Sequence, residues 1–462
     1  MKNKFLTFIL AFLFLFFIAS CDKKNNTNEN QNNKPKEEEP LDEELKADYS
    51  LEPYVLTNKK ENYALSFDYK TSFFNASAEV FNKDLAILSY GNSLASAKEN
   101  DITSFYNALK FDNLNSKYKA PTKDTISYMF AHKKINDSNL VAVTVRGFNY
   151  DKEWANNFKL GTSGNHKGFE DSANTIYTDL KAYVAQYDNL KLWITGYSRA
   201  GAVSNLLSHL IISKKEINVI QPNMYVYTFE APKAIAKENK QEYKNVFNVV
   251  NSHDIIPYFA PEAEYGLARC GIDIDIYSDS ISDLILEFDK DIVISKFKED
   301  AEYKNGVEFS NYMIKILTQN SDNKDYVYIP TREAFSNNME RPLARIFDIF
   351  YTLTSAQKKK IVEDVQKKIK ESPLQFAMGL LMTENGVYNF IKPYLDEAGY
   401  NYEEEALKLE TETIRKFIYP KIAIVLGFVA SETALGNNMK RMLLMHYPEI
   451  NYVLLKNYNA AK

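Results

Sequence analysis

The sequence predicts an α/β protein: a mostly parallel central sheet covered by helices on both faces, with a large helical segment set into its C-terminal half. Three observations predict it. Short, nearly continuous apolar runs rich in β-branched and aromatic residues lie at 141–145, 190–194, 224–229 and 246–250, the pattern of strands buried on both faces. Segments of helical period stand between them, at about 170–187, 199–213 and 234–243, and such alternation means βαβ units. At 192–201 a strand runs straight into a helix through Gly196-Tyr197-Ser198-Arg199-Ala200-Gly201, which puts a side chain at the C-terminal end of a strand, where open α/β sheets gather ligands.

The remaining elements follow by the same periods. Upstream, 77–98 reads as an amphipathic helix and 124–132 as a further strand. Beyond about Gly266 the strand signal fades, and 281–297, 309–318, 342–370, 373–382 and 403–429 carry helical period, so 266–430 is expected to form a mainly helical insertion or cap. Apolar residues at 45% and aromatic residues at 14% can fill a core, while 15 Gly and 14 Pro leave little punctuation between modules. One elaborated domain over 48–462 is therefore expected. A mean hydropathy of −0.39 is too polar for a polytopic membrane protein. Lys+Arg 56 against Asp+Glu 61 gives a net charge of −5 with no basic stripe, which argues against nucleic acid as a partner.

The N-terminus has a different logic. Lys2 and Lys4 precede an apolar run of 15 residues, 5–19, short of the roughly 18 to 20 that span a bilayer as a helix. Ile18-Ala19-Ser20-Cys21 places small residues just before a cysteine and resembles a bacterial lipoprotein signal with its lipobox. That reading makes 1–20 a cleaved signal peptide and Cys21 the lipid-bearing first residue of the mature chain, anchored to a membrane on the extracytoplasmic side of the cell envelope. Residues 22–47, rich in Asn, Lys and Glu, read as a disordered tether. With Cys270 the only other cysteine, the fold must rest on its core and not on disulfides.

The residues that carry chemistry sit where strand turns to helix. Gly196-Tyr197-Ser198-Arg199-Ala200-Gly201, strand before and helix after, reads as a nucleophile elbow of the G-x-S-x-G type in its required context, with Ala200 at the second glycine position and Gly201 next to it: small flanking residues let strand and helix approach, and the helix N-terminus aims its dipole at a developing oxyanion. Gly91-Asn92-Ser93-Leu94-Ala95 is a near miss inside a helix-like segment and is discarded. A serine needs a base, and the base an orienting acid. Asp254 follows the strand 246–250 and is the candidate acid; His446 is the only one of the five histidines beyond it, as the chain order Ser, Asp, His requires. His209 is too far along its helix from Ser198, His132 falls within a strand, His253 adjoins the acid, and His166 reads as structural. Neither His-Glu-x-x-His nor a Cys/His cluster at ligand spacing is present, so no metal and no other cofactor is expected.

With these residues in view the chain resembles the class 3, fungal-type triacylglycerol lipases of the α/β-hydrolase superfamily, in their bacterial form. Arg146-Gly147-Phe148 with Glu153-Trp154, His166-Lys167-Gly168-Phe169, Thr228-Phe229-Glu230-Ala231-Pro232 and the loop from Asn251 to Pro257 look like the family's motifs in order. The resemblance implies a Ser198, His446, Asp254 triad and an oxyanion hole built from the backbone N–H groups of Phe148 and Arg199. Glu230 departs from the small residue usual after Phe229, Ala200 stands where relatives often have glycine, and 191 residues separate Asp254 from His446. The reading is a membrane-tethered serine hydrolase acting on carboxylic esters, acylglycerols or other lipid esters; its rival is a surface-exposed binding lipoprotein that keeps the fold without the activity. Oligomeric state is not legible.

Overall fold

The computed structural model describes residues 42–51, 62–122, 125–148, 151–260, 262–277, 331–418 and 444–459, with single positions between 304 and 314. The signal peptide, Cys21 and most of the tether lie outside the described residues, as do the helices expected at 281–297 and beyond 418. The end of the tether is a correction: residues 44–47 belong to strand β1 (Glu44–Leu51), paired antiparallel with β2 (Tyr63–Lys70). Alternation, not length of apolar run, makes β2 a strand, since Tyr63, Leu65, Phe67 and Tyr69 are buried and the residues between them exposed.

The main sheet follows. Helices α1 (Lys83–Ala95) and α2 (Glu99–Ala108) lead into β3 (Asp112–Ser116), β4 (Tyr128–Ile135) and β5 (Ser138–Val145). Then come α3 (Lys167–Val184), β6 (Leu190–Tyr197), α4 (Arg199–Lys214), β7 (Met224–Phe229), a short β8 (Ile235–Ala236), β9 (Val246–Val250), a short β10 (Leu267–Ala268) and β11 (Ile272–Asp275). Seven of these strands form one sheet in the order β11-β9-β7-β6-β5-β4-β3. The β5, β6, β7, β9 and β11 neighbours are parallel, in registers such as Val143↔Ile194, Ile194↔Val226 and Val249↔Ile274; β3 and β4 join antiparallel at one edge.

The strands bury both faces because each face is covered. Within β6, Leu192 and Ile194 pack with Ile176 and Leu180 of α3 and Val203 and Leu207 of α4, while Trp193 and Tyr197 face α1 and the β1–β2 hairpin. That second layer absorbs much of the chain's aromatic content: Phe74 lies edge-on to Trp193 at 5.5 Å and Tyr90 edge-on to Phe229 at 5.0 Å. Expected as amphipathic over 77–98, α1 is shorter and buried nearly all round. Its polar side chains are spent inside, Ser89 accepting from Trp193 Nε1 at 2.8 Å and Asn92 from Thr195 at 2.8 Å. The discarded Gly91 lies against Phe67, whose ring a Cβ would meet at 2.5 Å.

Two further expectations are overturned. Segment 234–243 forms no α-helix, only a single 3-10 turn at Lys237–Asn239: β8 pairs antiparallel with β10, and hydrogen bonds from Ala234 N–H to Ala268 O (2.9 Å) and Lys237 N–H to Gly266 O (2.8 Å) replace the helical ones. Tertiary pairing here outweighs a helix-forming composition. The boundary at Gly266 also moves, because β11 extends the main sheet. Its sequence, Ile-Asp-Ile-Asp, alternates apolar and charged residues at an edge, unlike the continuous apolar run of a buried strand.

Beyond residue 330 the described chain is helical: α5 (Arg332–Thr352), α6 (Ser355–Glu371), α7 (Pro373–Leu381), α8 (Gly386–Glu397) and α9 (Glu404–Ile418), before the C-terminal α10 (Pro448–Asn457). One expected helix, 342–370, is two. Helix α5 starts ten residues earlier, with Thr331 capping Ala334 N–H and Pro342 inside, and Thr354 opens α6 through a capping box with Gln357. Phe347 of α5 stacks on Phe158 at 5.1 Å. Arg332 fastens the helix to the loop before α3, donating to the carbonyls of Leu160, Gly161 and Gly164 at 2.6 to 2.7 Å. Among the described residues no helix is long and apolar enough to cross a membrane.

Candidate active site

All the candidate residues lie at the C-terminal ends of parallel strands or on the segment that returns to them. Ser198 follows β6 with φ 56° and ψ −126°, a conformation that a non-glycine residue holds only when its surroundings enforce it. They do. The Ser198 N–H donates to Phe229 O at 2.7 Å, a Cβ on Gly196 would lie 2.4 Å from Ala200 O, and one on Gly201 would lie 2.9 Å from the Ala231 methyl. Gly201→Val is therefore expected to lose folding and activity together, because a β-branched side chain has no room between α4 and the β7 end. Circular dichroism and ester turnover on the same preparation test this, and a folded, fully active variant would show that the elbow does not need this close approach.

Asp254 is fully buried on the loop after β9, where its Oδ1 accepts the Ile256 N–H at 2.9 Å. His446 precedes α10 and lies between the other two: its Nδ1 donates to Asp254 Oδ2 at 2.6 Å, and its Nε2 faces Ser198 Oγ at 2.9 Å. With the Nδ1 proton committed to the carboxylate, the Nε2 lone pair is directed at the serine hydroxyl. The chain thus brings together three residues whose outer members are 248 positions apart.

A buried polar network holds His446 there. Tyr197 Oη donates to the His446 carbonyl at 2.5 Å, Asn451 Nδ2 donates to Tyr197 Oη and to Met445 O at 3.0 Å, and Asn251 Nδ2 donates to Met445 O and Asn451 Oδ1 at 3.1 Å. Nothing in the sequence assigns this role to Tyr197, Asn251 or Asn451. Asn recurs throughout the chain, and the two asparagines meet across 200 positions, so no local period announces them.

The proposed oxyanion residues flank the serine. Gly147 packs so closely on the elbow that a Cβ would lie 2.3 Å from Tyr197 O, and the Phe148 ring stacks on Tyr197 at 4.7 Å. Arg199 begins α4, whose N-terminus is at the serine. The fully buried carboxylate of Glu153 joins the two halves, pairing with Arg146 on one side and Arg199 Nη1 at 2.5 Å on the other.

The other histidines are elsewhere. His132 stacks on Tyr187 at 4.3 Å, His209 meets Tyr243 Oη at 3.1 Å, and His253 Nδ1 meets Asn311 at 2.9 Å. His166 caps α3, accepting from Phe169 N–H at Nδ1 and donating from Nε2 to Asn157 O at 3.1 Å. Burial pushes its pKa down to about 3, so the folded state keeps the ring neutral while the unfolded chain protonates near pH 6.5. Its stabilising contribution is present above about pH 6.5 and is lost as pH falls toward about 3, amounting to about 2 kcal/mol between pH 7 and pH 5. Denaturant midpoints for wild type and His166→Asn at those two pH values check this; equal acid-induced losses would mean that His166 is not buried neutral. Among the described residues no group of three His, Cys, Asp or Glu side chains could hold a metal ion.

A nucleophile elbow on a parallel sheet, with acid and imidazole delivered from later loops, defines an α/β-hydrolase. Within that class, residues 140–264 match the model of the lipase (class 3) family, so the resemblance carried by the motifs holds over that stretch. Solved structures to which part of the chain is similar include fungal lipases. The Rhizomucor miehei triacylglyceride lipase is 20% identical with a TM-score of 0.33, over 43% of this chain and 82% of that one. Lipase II from Rhizopus niveus is 16% identical with a TM-score of 0.33, over 45% and 81%, and the lipase from Rhizopus microsporus var. chinensis 17% with 0.32, over 41% and 73%. No curated protein matches the chain.

Proposed function

We propose that the protein is a serine hydrolase of carboxylic esters, with lipid esters such as acylglycerols as its substrate class. Ser198 attacks the ester carbonyl, His446 takes the serine proton and returns it to the leaving alcohol, Asp254 holds the imidazole in its tautomer, and the backbone N–H groups of Phe148 and Arg199 receive the oxyanion. The observation that carries this reading is the chain Ser198 Oγ to His446 Nε2 at 2.9 Å and His446 Nδ1 to Asp254 at 2.6 Å on an elbow held in strained geometry. A binding protein has no need of that strain. The class 3 lipase match supports lipid esters.

A fluorophosphonate probe tests the chemistry. Wild type is expected to label and Ser198→Ala to stay unlabelled, with turnover of esters of graded chain length defining the acyl preference. An unlabelled wild type would favour the binding lipoprotein instead. The membrane tether is a second part of the proposal, supported by the signal-like N-terminus and Cys21. Cys21→Ser is expected to move the protein from the membrane fraction to the soluble one or to leave an uncleaved precursor. Unchanged fractionation with normal processing would remove the anchor.

A further inference from the structure

Glu230 stands where the resembled family carries a small residue. It follows β7 with φ 49°, its side chain is completely buried, and both carboxyl oxygens lie 3.0 Å from the Asn251 N–H. Asn251 also accepts the Asp254 N–H at its carbonyl, at 2.8 Å, which brings the fully buried Asp254 carboxyl beside that of Glu230, within reach of a hydrogen bond. Two carboxyl groups touch in a dry site only when one of them carries a proton, since two anions there would repel strongly. Asp254 is placed to be the charged member, with the His446 Nδ1–H and the Ile256 N–H directed at its two oxygens at 2.6 and 2.9 Å. Glu230 has one backbone N–H shared between its two oxygens, and the nearby Arg269 directs its N–H groups to Ala231 O, Pro257 O and Asp273.

We propose that Glu230 is a positioning residue of the hydrolytic site, which keeps its proton and donates it in a hydrogen bond to the Asp254 carboxylate. The proposal rests on the hydrolase reading above. A neutral donor steadies the Asp254 charge and orientation without competing for the His446 proton, which a second carboxylate would do. Burial and the Asp254 charge both drive the Glu230 carboxyl well above the usual carboxylate range. The other titratable groups facing it are Tyr90 from α1 and Tyr197 at the end of β6, with Glu449 beyond Tyr90 and His446 beyond Asp254, and Arg269 is a nearby cation that acts on it. The departure from the family's small residue then serves the site it had seemed to weaken.

The test uses Glu230→Gln and Glu230→Ala in the full chain. Glu230→Ala removes the donor and is expected to lower kcat about tenfold or more with KM within about twofold, and Glu230→Gln, whose amide still donates, to recover most of that loss. The acid limb of the pH profile decides the charge. An ionised Glu230 would favour the imidazolium of His446, so its removal would move the limb to lower pH; a neutral one leaves the limb in place in Glu230→Gln. Infrared difference spectra are expected to show a protonated-carboxyl band in wild type near neutral pH that Glu230→Gln lacks, and this readout does not require ester turnover, so it separates failure of this inference from failure of the hydrolase reading. Should Glu230→Gln not fold, Asp254→Asn takes away the neighbouring charge, and the band should then disappear at lower pH than in wild type. A limb displaced by about half a pH unit or more in Glu230→Gln, or a carboxyl band indifferent to these substitutions, overturns the proposal.

Discussion

Replacing His446 with alanine is expected to lower ester turnover by roughly a thousandfold to a millionfold while leaving the far-ultraviolet dichroism unchanged. The size follows from the geometry. In the proposed mechanism the His446 Nε2, 2.9 Å from Ser198 Oγ, is the serine's proton acceptor, and a serine hydroxyl without a base is a poor nucleophile at neutral pH. The fold should survive, because the anchoring of this segment runs through the backbone carbonyls of Met445 and His446 and through α10, none of which the substitution removes. Residual activity comes from the oxyanion donors and substrate binding alone. Steady-state kinetics on purified variant decide the matter: retention of more than about a tenth of wild-type turnover would mean that His446 is not the base.

Glu153→Ala should have a large effect on stability. The side chain is completely buried between Arg146 and Arg199, themselves nearly inaccessible, so its loss leaves two guanidinium groups in a dry site without their anion. Breaking a buried ion pair from one side costs about 3 to 5 kcal/mol. Catalysis should suffer as well, since Arg146 and Arg199 set the two peptide segments proposed to hold the oxyanion. Urea unfolding and kcat measured on the same variant test this, with Glu153→Gln expected to lie between alanine and wild type. A loss of stability under about 1 kcal/mol would show that the clamp contributes only what a surface pair would.

The parts of this protein legible in the sequence are those written in short stretches of chain. Strands β5, β6, β7 and β9 announce themselves as apolar runs, and the elbow as a few residues between strand and helix. Asp254 is legible from its place after a strand, and His446 from chain order alone, with no local signal of its own. What stayed hidden is set by pairing between distant segments. Strand β11 looks like solvated loop until β9 lies beside it, and 234–243 has a helical composition but is held by carbonyls of Gly266 and Ala268. Arg332 carries no signal of its own until the loop at 160–165 turns its carbonyls toward it. Glu230 reads as a defect in a motif, and only the position of Asp254 gives its carboxyl a use.

The separation of the reacting residues also sets an order in time. A chain leaving the ribosome presents β5 through β9, the elbow and Asp254 long before His446, which comes 248 positions after Ser198, and folding during synthesis proceeds from the N-terminal side. Throughout that interval the nascent sheet holds a strained serine and a buried acid with nothing between them to move a proton. Only when the segment carrying His446 docks, with Tyr90 donating to Pro448 O at 2.8 Å and Asn451 joining Tyr197, does the proposed hydrolase acquire its base. On the proposed reading, a hydrolase of lipid esters is in this way chemically silent while it is being made. A chain broken anywhere between Asp254 and His446 remains silent for good, however much of its sheet has formed.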